Sequence, residues 1–220
     1  MERSLAIGSA DRFEIAEISN QWTHGVGFAL SLPAGWCLLR AAVERENPWL
    51  SVGCLIYAVT LSLLYAASTL SHSFRRGIWR HRFRTFDQVC IFLLIAGNYT
   101  PFGLTYLRDG WGGALLVAMW CLAVVGILLK LTRTRQHGVA TWFYVLMGWI
   151  PIVALPEFYR CFGLDGLSWV FAGGLAYSAG TWFFMNDERR LFYHAVWHVL
   201  VMLGSVCHFV VVLKYVVGCA

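Results

Sequence analysis

Seven apolar stretches divide this chain, each near the ~20 residues needed to cross about 30 Å of hydrocarbon, and they leave few architectures open. They run from Trp22 to Leu39, Leu50 to Leu70, Thr85 to Leu107, Trp111 to Leu129, Val139 to Leu155, Leu167 to Met185 and Leu191 to Val217. In lipid every backbone polar group must be satisfied within its own segment, so stretches of this length are read as helices. The expected fold is an all-α integral membrane protein, a single seven-helix bundle over residues 22–217 preceded by a cytoplasmic segment, residues 1–21. With 59% hydrophobic residues and a mean hydropathy of +0.61, the chain falls outside the range of ordinary soluble domains. Trp22, Trp49, Trp111 and Trp169 lie near stretch ends, where amphipathic rings favour the headgroup zone.

The formal charge of +5 is dispersed over short loops, so it reads as membrane topology and not as a nucleic-acid surface. One side holds Arg3, Arg12, Arg75, Arg76, Arg80, Arg82, Arg84, Lys130, Arg133, Arg135, Arg189 and Arg190; the other holds Arg40, Arg45, Arg108, Arg160 and Lys214. Positive charge collects on the cytoplasmic side, which places the N-terminus inside and, after seven crossings, the C-terminus outside. The first twenty residues mix Glu2, Asp11, Glu14 and Glu17 with Arg3 and Arg12 and show no basic region leading into an apolar core, against a cleaved signal peptide. The seven cysteines form no CxxC pair and read as core fillers. A bacterial inner membrane is the expected location, with membrane lipids as the partners.

Against this background, ionisable residues inside apolar stretches stand out, because each is costly there unless it has a function. His72 closes the second stretch, and His194 and His198 lie four apart near the start of the seventh, on one helix face and about 6 Å apart along the axis. The expected topology brings all three, with Ser68 and Asp87, to the cytoplasmic ends of their helices. Three imidazoles with an open fourth position is how catalytic zinc is held, and nitrogen ligands suit zinc better than magnesium or calcium, although iron and copper accept the same ligands. Asp87 is expected to orient and deprotonate a water near the ion, and Ser68 to hydrogen-bond that water or a developing oxyanion. Asn20 and His24 join the same layer as outer neighbours, with Glu17 beside them. His208 is too deep to bind the same ion and reads as a core hydrogen bonder. His81 and His137 read as solvated loop residues, and the seven cysteines lie apart from the three histidines. Asn98, Tyr99 and Thr100 before Pro101 point to a kink, either lining a cavity or purely structural. Gly174 with Ser178 and Ala176 with Gly180 allow close helix approach.

Ser68-x-x-x-His72, Asp87 in FRTFDQ, His194-x-x-x-His198 in FYHAVWH, and Glu17-x-x-Asn20-x-x-x-His24, together with YAASTLSHS and GNYTPF, resemble the haemolysin III group of the progestin and adipoQ receptor family over nearly the whole chain. The resemblance implies seven helices and zinc held by His72, His194 and His198, with Asp87 and Ser68 near its open side. The wider superfamily, with the alkaline ceramidases and adiponectin receptors, implies metal-dependent hydrolysis of lipid amides. Three functions remain in play: a lipid amide or ester hydrolase, a non-enzymatic zinc-stabilised membrane sensor, and a pore. Mostly apolar helices without a continuous polar stripe argue against a wide pore.

Overall fold

The computed structural model describes residues 8–132 and 141–219, all helix, turn and short connection, with no strand among them. Arg3, Glu2, Arg133, Arg135 and His137, and the start of the fifth stretch at Val139, lie outside the described residues. The helices are α1 (Ser9–Val43), α2 (Pro48–Ser73), α3 (Gly77–Tyr106), α4 (Trp111–Thr132), α5 (Trp142–Trp149), α6 (Leu155–Met185) and α7 (Tyr193–Val210). A 3-10 segment, Ile150–Ala154, joins α5 to α6, and a wider π-type winding, Val211–Val217, continues α7.

Local chemistry sets several of these ends. Pro48 opens α2 with its fixed φ, and Asn47 Oδ1 accepts from the backbone N–H groups of Trp49 and Leu50 at 3.1 and 3.2 Å. α1 and α3 begin well before the apolar stretches that predicted them, because polar residues such as Glu17 and Arg80 continue the helices beyond hydrocarbon length. His81 is therefore an exposed residue within α3 and not a loop residue. α3 runs on through Pro101, where the Thr100 hydroxyl donates to the Ala96 carbonyl at 2.8 Å.

Six helices among the described residues are long and apolar enough to cross a membrane, against the seven stretches of the sequence. The difference lies in one 44-residue run, Trp142–Met185, which takes in both the fifth and sixth stretches. This run is not straight. Gly163 sits at φ 61°, ψ −170°, a region open essentially to glycine alone, and breaks α6 there. Trp149 Nε1 donates to Ser178 Oγ at 2.9 Å across 29 residues, which a straight helix would separate by roughly 43 Å. The chain thus doubles back on itself.

α1 packs between α2 and α7; α2 lies on α3, α3 on α4 and α5, and α6 on α7. Tyr57, Phe92, Leu38, Leu50 and Met119 fill the interior, while Trp22, Leu30, Trp36, Val117 and Leu175 face outward, as lipid-facing side chains do. Trp49, Trp111 and Trp169 also face outward. Small residues on α6 meet large partners: Gly180 abuts Trp197, and Gly174 abuts Trp149. Of the seven cysteines only Cys54, Cys90 and Cys207 are buried; Cys37, Cys121 and Cys219 are exposed, which corrects their reading as core fillers. They sit on outward helix faces and at the chain end, where an apolar stretch meets its surroundings instead of its neighbours.

Candidate metal centre

Contact between α2, α7 and α1 assembles the centre. His72 lies in the last turn of α2, and His194 and His198 in the first two turns of α7. One donor atom from each of the three lies within 4.8 Å of the others, so the group could hold a metal ion. Ring centroids are 5.0 Å apart for His72 and His194, 5.2 Å for His72 and His198, and 4.7 Å for His194 and His198, with every pair edge to face. Edge-to-face pairing is a general preference of packed rings, so it is the convergence of the donor atoms that marks the group.

Each ring is tethered through Nδ1. His72 donates to Glu17 Oε2 at 2.8 Å, and His194 donates to Asp187 Oδ2 at 2.8 Å. His198 shares its Nδ1–H between the Asn20 carbonyl at 3.2 Å and the Thr23 hydroxyl oxygen at 3.0 Å. A proton on Nδ1 leaves Nε2 as a bare lone pair, the tautomer a metal requires, and metal-binding histidines almost always carry such an outer partner. The Nε2 atoms of His194 and His198 are buried and have no hydrogen-bond partner among the described residues. Of eight buried side-chain atoms so left among the described residues, six belong to this layer: these two, both ring nitrogens of His24, Ser68 Oγ and Asn20 Oδ1. Unsatisfied buried polar atoms are rare in folded proteins, and their concentration here fits a site made to receive an ion and a ligand.

Ser68 is fully buried one turn before His72 on α2. Asp87 is buried on α3 and accepts from Ser71 Oγ at 3.4 Å, a long contact; the clustered donor group comprises the three histidines without Asp87. His24 stacks on His198 with centroids 3.6 Å apart and planes within 15°. His208 is half-buried and hydrogen-bonded at both ring nitrogens, donating from Nε2 to the Val170 carbonyl at 3.3 Å and bonded at Nδ1 by Asn98.

A cavity of about 210 Å³ runs from this layer through the bundle. His24 and Asp87 line it at the metal-centre end, Asn98, Tyr99 and Tyr177 border it further on, and Phe158, Phe162 and Val216 line it beyond. Most of its wall is aromatic or aliphatic.

Three members of the centre escape a reading of the sequence. Asp187 reaches His194 because the short 3-10 turn Asp187–Arg189 folds back onto α7; its only trace in the sequence is a carboxylate just before a histidine helix. Arg80, counted above only as topological charge, pairs with Glu17 Oε1 at 2.8 Å and thereby steadies the carboxylate that holds His72. Thr23 hides as an ordinary helix residue.

Comparison with known proteins shows the family of the chain. The family described as haemolysin-III related matches residues 14–209, and the chain belongs to that family. It is 40% identical over 210 residues to Hemolysin-3 of Bacillus cereus, covering 95% of each chain. It is 39% identical over 202 residues to the Hemolysin-3 homolog of Bacillus subtilis (strain 168), covering 91% of this chain and 94% of that one. Human monocyte to macrophage differentiation factor is 28% identical over 205 residues, 90% of this chain and 83% of that protein. No solved structure matches the chain.

Proposed function

We propose that this protein is an integral-membrane zinc protein that hydrolyses the amide or ester bond of a lipid, from the cytoplasmic leaflet of a bacterial inner membrane. The observation that carries the reading is the junction of a tethered three-histidine centre with an apolar cavity at His24 and Asp87. His72, His194 and His198 would hold the ion, and zinc supplies Lewis acidity when bound. The cavity takes the acyl chain and excludes water from it. Asp87, facing the cavity, takes a proton from the attacking water and returns it to the leaving nitrogen or oxygen. Ser68 donates its hydroxyl to the oxygen on which negative charge develops. Purified, metal-replete protein is expected to release free fatty acid from a fatty amide, and Asp87→Ala to lose roughly 100-fold or more of that rate while keeping fold and metal. A flat assay across amides and esters with metal present speaks for a non-catalytic role.

The same reading takes the Trp142–Met185 run as two crossings, because it is roughly 66 Å long if helical and breaks at Gly163. That gives seven crossings with the N-terminus inside and the C-terminus outside. Single cysteines placed at Gly8 and Gly218 in a background lacking the native seven should label from opposite sides of the membrane; labelling from the same side overturns the odd count.

A further inference from the structure

We infer that a second, polar pocket at the end of the bundle opposite the histidine centre holds the zwitterionic head of a phosphatidylethanolamine from the adjoining leaflet, bound as a ligand and not as a substrate. The pocket, of about 410 Å³, is enclosed by the turn from α1 to α2, the turn from α3 to α4 and the start of α6, and its wall is mostly polar. Asn47 lines it and caps the start of α2, whereas His72 lies in the last turn of that 26-residue helix, roughly 39 Å long. Outward-facing Trp49 and Trp111 also line the pocket, which sets it at headgroup depth.

Four charged side chains border this pocket, and they are not equivalent. Arg108 is already engaged: its Nε and Nη2 donate to the two carboxylate oxygens of Asp109 at 3.0 and 3.2 Å, and its guanidinium lies over the Trp49 ring at 4.6 Å. Glu157 and Arg160 are three residues apart near the start of α6, a spacing at which helix side chains are neighbours. Neither forms an ion pair among the described residues. Glu157 Oε2 is buried without a hydrogen-bond partner, and the nearby Tyr99 hydroxyl, in the same state, does not donate to it. The Arg160 guanidinium lies beside the Cys161 thiol, a weak acceptor that leaves its charge uncompensated. A buried carboxylate oxygen without a donor is costly, so the ligand that completes the pocket brings a donor to Glu157 and an anion to Arg160.

A phosphoethanolamine head carries both on one short link. Its ammonium has three N–H donors for the Glu157 carboxylate, and its phosphate oxygens match the planar fork of the Arg160 guanidinium. A choline head keeps the positive charge but has no N–H to donate, and a glycerol head has no positive charge. The inference does not depend on hydrolysis at the histidine centre, and failure of that reading leaves it standing.

The test is native mass spectrometry of the full-length protein in detergent, titrated with dioleoyl phosphatidylethanolamine, phosphatidylcholine and phosphatidylglycerol, with metal content followed in parallel. Wild type is expected to bind the ethanolamine lipid about 10-fold more tightly than the other two, the worth of one hydrogen bond between charged groups. Glu157→Gln should bring the ethanolamine lipid down to the level of the choline lipid and leave the other two unchanged. Arg160→Ala, at an exposed position, should weaken all three, because each carries a phosphate. Metal content should be unchanged in both variants. Equal affinities in wild type, a preference that survives Glu157→Gln, or ethanolamine-lipid binding unmoved by Arg160→Ala each overturn the inference. Free phosphoethanolamine at the same concentration should not displace the lipid; if it does, the occupant is a soluble zwitterion and the lipid assignment fails.

Discussion

His198→Ala is expected to lower metal affinity by more than the 10–100-fold typical of an outer-shell change, because it deletes a nitrogen that would bind the ion directly. The residue is wholly buried, and it ties α7 to α1 through the Asn20 carbonyl and the Thr23 hydroxyl. Truncation therefore also opens a void and removes this tie, a loss of about 2–5 kcal/mol by analogy with other large-to-small core changes. The two effects separate in one titration. A ligand that binds only the folded state raises stability with its concentration. Added zinc should raise the melting temperature of wild type and leave that of the variant unmoved. If zinc stabilises His198→Ala as much as wild type, the three-histidine assignment is wrong.

Glu17→Ala should have the second largest effect, on stability first. Glu17 is buried at the crossing of α1, α2 and α3, with one oxygen on His72 and the other on Arg80, whose side chain is 18% exposed. Removing it leaves a largely buried guanidinium without its counter-charge, and breaking such pairs on one side destabilises by about 3–5 kcal/mol. His72 would also lose the acceptor that keeps its proton on Nδ1, so metal affinity should drop by about 10–100-fold. Glu17→Gln retains an acceptor for His72 and should lose less affinity than Glu17→Ala. Chemical denaturation and zinc competition measure the two arms independently. Equal metal affinities in wild type and both variants would make the Glu17–His72 contact a packing feature only.

The residues that sequence reasoning located share a property: their signal is local. His194 and His198 reveal themselves by a four-residue spacing inside an apolar stretch, and His72 by ending one. Hydrophobic length likewise fixes where most helices lie. What the sequence conceals depends on turns and on distant pairings. Asp187 reaches His194 only through the 3-10 turn between them, and Arg80 finds Glu17 across 63 residues. The break at Gly163 is one glycine among 21, and nothing in its neighbours announces a positive φ. Nor does a hydropathy pattern distinguish His24 from His198. Both are buried histidines near the start of an apolar stretch, and only the contacts of their nitrogens set the tethered ring of His198 apart.

The most direct test of the account is metal content by mass spectrometry on folded protein purified in detergent without chelators. A tethered set of three imidazoles predicts about one zinc per chain. Folded protein free of zinc and of every other transition metal would contradict it, and the three histidines would then be core hydrogen bonders in a membrane bundle.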